Sequence, residues 1–149
     1  MPILREHIQT SLPIDEAFAF VADFANSKDW DPGVATASRI GVGPLGVGAR
    51  FDLGVQMRGR VTPMEYEITT FDSPNRVVLT GSGSGVAAVD DIRFQATEAG
   101  TDIEYIADIR LRGLMRLVEP FVGGAFAEIG RNARDGMQRK LAEIAAEGR

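Results

Sequence analysis

Between residues 34 and 112 the chain alternates apolar and polar positions in short runs separated by tight turns. The alternation predicts strands at 34–42, 49–58, 60–71, 76–82, 86–97 and 102–112. The last run is the clearest, because apolar side chains alternate with mostly charged ones from Ile103 to Arg112. Connections this short favour antiparallel neighbours, since parallel strands need long crossovers. The middle of the chain is therefore predicted to be an antiparallel meander.

The N-terminal part combines a strand with helical periodicity. Residues 3–12 mix apolar and polar positions and predict a first strand. After Pro13 the apolar positions from Ile14 to Phe24 recur at i, i+3, i+4 and i+7, which indicates an amphipathic helix. We expect two short helices between this strand and the meander.

The period becomes helical again after Gly113 and stays helical to the C-terminus. Its apolar stripe is predicted to begin at Leu114 and Leu117, and Pro120 is expected to interrupt the helix in its first turns. A sheet with one apolar face must cover that face, and only this last helix is long enough to do so. The predicted fold class is therefore α+β, with a curved seven-stranded antiparallel sheet wrapped around a long C-terminal helix. The chain is expected to form a single domain over residues 1–149.

A glycine-rich segment, Gly41 to Gly46, reads GVGPLG and matches the dinucleotide-binding pattern G-x-G-x-x-G. That pattern binds a pyrophosphate only where a helix follows, because the first amides of the helix hold the phosphates. Here the apolar positions from Phe51 to Met57 have a period of two, and Pro44 removes one amide donor. The segment is therefore predicted to turn a β-hairpin, and no cofactor is expected.

The C-terminal helix contains four glycines, at positions 123, 124, 130 and 136. Each interior glycine costs about 1 kcal/mol relative to alanine, so their presence requires a reason. One reason is close packing of the helix backbone against a neighbour. The other is a cavity between the helix and the sheet, roofed by small residues and suited to an apolar ligand.

Strand parity assigns one set of side chains to the inner face of the sheet, and that set is mostly apolar with a few polar or amphipathic members. The predicted ligand-binding residues are Trp30, Phe51, Leu53, Met57, Met64, Tyr66, Asp90, Phe94, Tyr105, Phe126 and Gly130. The alternative for Trp30 is a core residue next to the first helices. The alternative for the two tyrosines is a core position with the hydroxyl reaching solvent.

Candidates for catalysis are few. Asp90 and Asp91 are adjacent on a strand and point to opposite faces, so at most one of them faces inward. An inward, unpaired carboxyl group would have a raised pKa and could act as an acid or base. The parity of His7 places it outward, and Ser82 has no histidine partner for a hydrolase triad. The catalytic residues, if the protein is an enzyme, stay unassigned.

Composition narrows the function classes further. The chain has no cysteine and one histidine, so neither thiol chemistry nor a zinc site is expected. A net charge of −5 disfavours nucleic acid as a partner. No apolar run is long enough for stable membrane insertion, and the N-terminus does not read as a signal peptide, so a cytoplasmic location is expected.

Several short motifs resemble the polyketide cyclase/dehydrase branch of the START-like superfamily. After the first strand, the chain matches the family's opening pattern at Pro13, Phe18, Asp23, Phe24, Trp30 and Pro32. The hairpin segment VGARF at 47–51 and the Gly-Thr pair at 100–101 resemble two later family motifs. The resemblance spans nearly the whole chain, and it implies a helix-grip fold with a pocket for a hydrophobic small molecule.

The resemblance does not imply a reaction, because a fold alone does not settle function. The favoured hypothesis is binding of a hydrophobic small molecule, lipid or polyketide-like, between the sheet and the C-terminal helix. The alternative is a polyketide cyclase or dehydratase that acts on a bound poly-ketone. A protein-interaction or toxin-like module has less support, and a homodimer stays open.

Overall fold

The structure of the protein, a computed structural model, describes residues 3–57, 59–121 and 123–148. The strands are β1 Ile3–Thr10, β2 Val34–Ile40, β3 Arg50–Met57, β4 Arg60–Asp72, β5 Arg76–Gly83, β6 Val86–Thr97 and β7 Gly100–Leu111. The α-helices are α1 Ile14–Ala22, α2 Ser27–Trp30 and α3 Gly123–Glu147. Two 3₁₀ segments, Phe24–Asn26 and Gly113–Phe121, precede α2 and α3.

The strands form one antiparallel sheet in the order β1-β7-β6-β5-β4-β3-β2. Strands β2 to β7 are a meander, and β1 joins it by pairing with β7, from Ile3 opposite Asp108 to Thr10 opposite Thr101. The sheet is curved and open, with β1 and β2 as its edges. The predicted fold class is therefore confirmed.

The inner face of the sheet is covered in two parts. Helix α1 buries Ala17, Phe18 and Val21, and the ring of Phe18 meets the rings of Phe71 and Phe94 edge-on at 5.3 and 5.1 Å between centroids. Helix α3 packs mainly against β1 and α2. One end of the sheet is therefore filled by aromatic core, and the other faces α3.

The segment before α3 differs from its prediction. Residues 113–121 form a 3₁₀ segment that contains Pro120, and the α-helix begins only at Gly123. Leu114 and Leu117 are 85% and 72% exposed. The predicted apolar stripe is wrong for these two residues, because a 3₁₀ segment has three residues per turn and shifts the buried positions. The proline interrupts the helical pattern as expected.

The glycine-rich segment connects two strands, as predicted. Strand β2 ends at Ile40, and Gly41 and Gly43 follow with φ of 77° and 128°. These positive φ values lie in the region that favours glycine. The next regular element is β3, so no helix N-terminus follows this described segment to hold a pyrophosphate.

Candidate functional site

A cavity of about 130 Å³ lies between the inner face of the sheet and α3. Its wall is mostly apolar and comes from strands on both halves of the sheet, from the turn after α2, and from the helix itself. The apolar lining includes Leu4, Ile8, Phe24, Val34, Leu53, Val55, Met64, Val86, Ala88, Ile109, Phe126, Ile129, Ala133 and Met137.

The structure places eight of the eleven predicted residues in this wall: Trp30, Leu53, Met64, Tyr66, Asp90, Tyr105, Phe126 and Gly130. Phe51 and Phe94 lie in the core instead, outside the wall. Phe51 packs against Phe24 and beneath the guanidinium of Arg39, and Phe94 packs against Phe18. The reason is that α1 and the segment after it cover their part of the inner face. The side chain of Met57 lies outside the described residues.

Asp90 is the central polar group of the cavity. It is 6% exposed, on β6, and its Oδ2 accepts a hydrogen bond from the hydroxyl of Tyr105 on the neighbouring strand β7. Burial raises the pKa of Asp90 to about 7, the bond from Tyr105 opposes the rise, and the charge of Asp31 adds to it. Near neutral pH this carboxyl group can therefore both donate and accept a proton.

Asp31 is a second carboxyl group in the wall, and it was not predicted. Burial raises its pKa to about 6, and the amide of Gly33, which donates to its Oδ1 over 2.8 Å, opposes the rise. Asp31 follows α2 in a turn, where periodicity does not report which way a side chain points. The available signal was its place between Trp30 and Pro32 in the family-like motif.

Tyr66 and Trp30 contribute further polar atoms to the cavity wall. The pKa of Tyr66 is raised well above its usual value, first by burial and then by the charges of Asp90 and Asp31, and no hydrogen bond contributes. Trp30 is 2% exposed, and its Nε1 has no hydrogen-bond partner in the described part of the chain. A buried donor without a partner is costly, so the indole N–H of Trp30 favours a ligand with an acceptor group.

The aromatic rings around these groups hold one another in place. The ring centroid of Trp30 lies 6.0 Å from that of Tyr105 and 6.3 Å from that of Phe24, both edge-on. Phe24 in turn lies 5.2 Å from Tyr66. On the other side of Tyr66, a Cβ at Gly81 would lie 2.5 Å from its ring, so the glycine leaves the space that the ring fills.

An ion pair between Glu6 and Arg134 lies where α3 meets β1. Arg134 donates to Oε1 of Glu6 over 3.2 Å and also pairs with Asp135, at 2.9 Å. Glu6 and Arg134 both belong to the cavity wall. Neither was predicted, although Glu6 shares its parity with Leu4 and Ile8, which line the cavity with it.

The remaining candidates lie on the outer surface. Asp91 pairs there with Arg76 and Arg93, at 2.9 and 3.0 Å, and hydrogen bonds from both arginines lower its pKa against the effect of burial. His7 is exposed, 3.6 Å from Glu104. Ser82 is exposed as well. Of the adjacent carboxyl pair, only Asp90 faces the cavity.

Among residues 3–57, 59–121 and 123–148, no group of three or more histidine and acidic side chains is arranged to hold a metal ion. Within the same ranges, no helix has the length and apolar character needed to cross a membrane.

Comparison with protein families gives one match over nearly the whole sequence. The family described as "Polyketide cyclase / dehydrase and lipid transport" matches residues 1–147. A search of curated proteins gives no significant match.

Solved structures of the same fold come from several bacteria. A START superfamily protein from Mycobacterium smegmatis has a TM-score of 0.79 at 10% identity, over 95% of this chain and 98% of that one. A protein from Thermus thermophilus has a TM-score of 0.78 at 16% identity, over 97% and 99%. The Zhui aromatase/cyclase from Streptomyces has a TM-score of 0.72 at 12% identity, over 93% and 92%. At these identities the likeness establishes the fold.

Proposed function

Because the chain belongs to the polyketide cyclase, dehydrase and lipid transport family, we propose that it binds one small, mostly apolar molecule in the cavity between the sheet and α3. Membership confirms the resemblance that the sequence motifs indicated. It leaves the ligand open, since one fold serves many functions.

The observation that carries the proposal is the arrangement of polar atoms in the cavity wall. An apolar wall with a few convergent polar groups is typical of small-molecule sites. Here the polar groups gather at Asp90, Asp31 and Tyr105, with Tyr66 in the same wall and the buried indole N–H of Trp30 unpaired within the described chain. A core built only for stability would pair or omit such atoms.

The cavity volume limits the size of the bound group. An engineered apolar cavity of about 150 Å³ in another protein takes up benzene. The cavity described here has about 130 Å³, so a single six-membered ring or an alkyl group of similar bulk fits it. A longer lipid or polyketide chain would place one such portion in the cavity.

Binding is measured through Trp30, the only tryptophan of the chain, whose indole N–H gives a single NMR signal. We expect this signal to shift on titration with toluene and with benzyl alcohol. The alcohol should bind up to about tenfold more tightly, since one hydrogen bond contributes about 0.5–1.5 kcal/mol.

A variant with a partly filled cavity, compared with a matched control, tests whether the ligands bind in the cavity. Ala133→Leu places a larger side chain in the cavity wall and should weaken both ligands about tenfold or more, because overpacking costs about 1–3 kcal/mol. Ala142→Leu makes the same change at an exposed position of α3 and should leave binding unchanged. An indole signal that neither ligand moves would overturn the proposal, as would unchanged binding in Ala133→Leu.

A second candidate function is catalysis of proton transfer on a bound ketone, as in a cyclase or dehydratase. The observation that favours it is a buried carboxyl group, Asp90, whose pKa of about 7 suits a general acid or base at neutral pH. The similar Zhui protein is named an aromatase/cyclase. If this chain catalyses a reaction of that kind, its substrate would be a linear poly-β-ketone.

A further inference from the structure

The polar end of the cavity is acidic. Asp31 and Asp90 are both in the wall, where Asp90 is buried and Asp31 is half-buried. The effects on the pKa of Asp90 are burial, the bond from Tyr105 and the charge of Asp31. Within the described chain, no lysine, arginine or histidine forms an ion pair with either carboxyl group.

The other charged groups in the described wall are paired with one another. Glu6, from β1, and Arg134, from α3, form their own ion pair at 3.2 Å, and Arg134 also binds Asp135. Asp31 and Asp90 take no part in the ion pairs of Arg134 within the described chain. The acidic end therefore keeps an unmatched negative charge once its carboxyl groups ionise.

Four aromatic side chains share the cavity wall with these carboxyl groups, and the hydroxyl of one of them, Tyr105, donates to Asp90. Tyr105, Trp30, Phe24 and Tyr66 follow one another in this order, with neighbouring ring centroids 5.2–6.3 Å apart. A cation held near aromatic faces is attracted by their electron density, and the attraction grows when water is excluded. Carboxyl groups together with aromatic rings are thus a chemical match for an organic ammonium group.

We infer that the acidic end of the cavity selects an ammonium group, so that the ligand is a small arylalkyl or alkyl amine of single-ring size. This inference rests on the proposed function and specifies its ligand class. The ammonium has three N–H donors, and the carboxylates of Asp31 and Asp90 and the hydroxyl of Tyr66 are acceptors for them. The indole N–H of Trp30 is itself a donor and takes no part in holding the ammonium. Burying the ammonium is then compensated by opposite charge and hydrogen bonds, as a buried charge requires.

The pH dependence follows from the same groups. Below about pH 6 both carboxyl groups are protonated and the attraction for a cation is lost. As the pH rises through about 7, Asp90 ionises as well and amine affinity should increase. It should fall again near pH 10, where an alkyl ammonium loses its proton, as a lysine does.

The test compares benzylamine with benzyl alcohol and toluene by titration of the Trp30 indole signal at pH 8 and pH 5. At pH 8 benzylamine should bind about tenfold or more tightly than benzyl alcohol, and at pH 5 this preference should disappear. Asp90→Asn should reduce the preference at pH 8. Asp91→Asn removes a carboxyl group one residue away, on the outer face, and should leave the preference for benzylamine unchanged.

The outcomes separate this inference from the function on which it rests. Benzyl alcohol binding as tightly as benzylamine at pH 8 would overturn the amine selectivity while leaving small-molecule binding in place. No binding of any of the three compounds would overturn both. If the unchanged protein prefers benzylamine over benzyl alcohol equally at pH 5 and pH 8, the role of the carboxyl groups is refuted. This outcome does not depend on whether Asp90→Asn folds.

Discussion

Asp90 owes its raised pKa to its position on the sheet. It lies on β6 beside the hydroxyl of Tyr105, and its neighbour Asp91 points to the opposite face and pairs with two arginines. The two carboxyl groups therefore have opposite pKa shifts. Burial raises both pKa values, but for Asp91 the hydrogen bonds and charges of Arg76 and Arg93 together outweigh it. Substitution of Asp90 therefore has a matched control in the same substitution of Asp91.

If the protein turns over a linear poly-β-ketone, Asp90→Asn should lower kcat about 100-fold or more, since general acid–base groups contribute about 10²–10⁴. Substrate affinity should change little, because asparagine keeps an acceptor for Tyr105. Asp91→Asn should leave kcat within about twofold, since it lies outside the cavity wall. Steady-state kinetics on the three proteins tests this. Equal kcat values for Asp90→Asn and the unchanged protein would exclude Asp90 as the acid or base.

At the level of elements, the glycines of α3 have different roles. A Cβ at Gly136 would overlap the carbonyl oxygen of Trp30, at the end of α2. A Cβ at Gly130 would lie 3.3 Å from Leu4 at the cavity wall, and one at Gly124 would meet no atom within 4 Å. Close packing and a cavity lining, which the sequence left as alternatives, therefore occur at different turns of the same helix.

Gly136→Ala and Gly124→Ala should change the free energy of unfolding in opposite directions. Alanine gains up to about 1 kcal/mol in a helix, but at Gly136 it displaces backbone, and overpacking of this kind costs about 1–3 kcal/mol. We expect a net loss for Gly136→Ala and a small gain for Gly124→Ala. Urea denaturation of both variants measures this. Equal stabilities would show that α2 and α3 can separate without cost.

At the level of the whole molecule, regular periodicity determined what the sequence could predict. Alternation placed Tyr66, Asp90 and Tyr105 on the inner face, because a strand has a strict period of two. It cannot distinguish the part of that face under α1 and the following 3₁₀ segment from the part under α3, so parity alone places Phe51 in the cavity wall, although it packs against Phe24. Asp31 lies in a turn, where side-chain direction depends on tertiary contacts that no local pattern encodes.

The stability of the folded protein should decrease as Asp90 ionises. Its pKa is about 7 in the folded state and 3.8 as an isolated group, so between these values the folded chain binds more protons than the unfolded chain. Stability then falls with rising pH over this range, and the cost is complete above about pH 7. Replacement by asparagine removes this dependence, since the amide does not ionise.

We therefore expect Asp90→Asn to gain about 2–4 kcal/mol in unfolding free energy, relative to the unchanged protein, between pH 4 and pH 8. Asp91, whose pKa is lowered from 3.8, has the opposite sign, and its contribution changes mainly below pH 4. Asp91→Asn should therefore be less stable than the unchanged protein, by an amount that changes little between pH 6 and pH 8. Urea denaturation of the three proteins at pH 4, 6 and 8 gives the differences directly. A difference between Asp90→Asn and the unchanged protein that stays constant with pH would mean that Asp90 reaches water when folded, and the acidic end of the cavity would then be open to solvent.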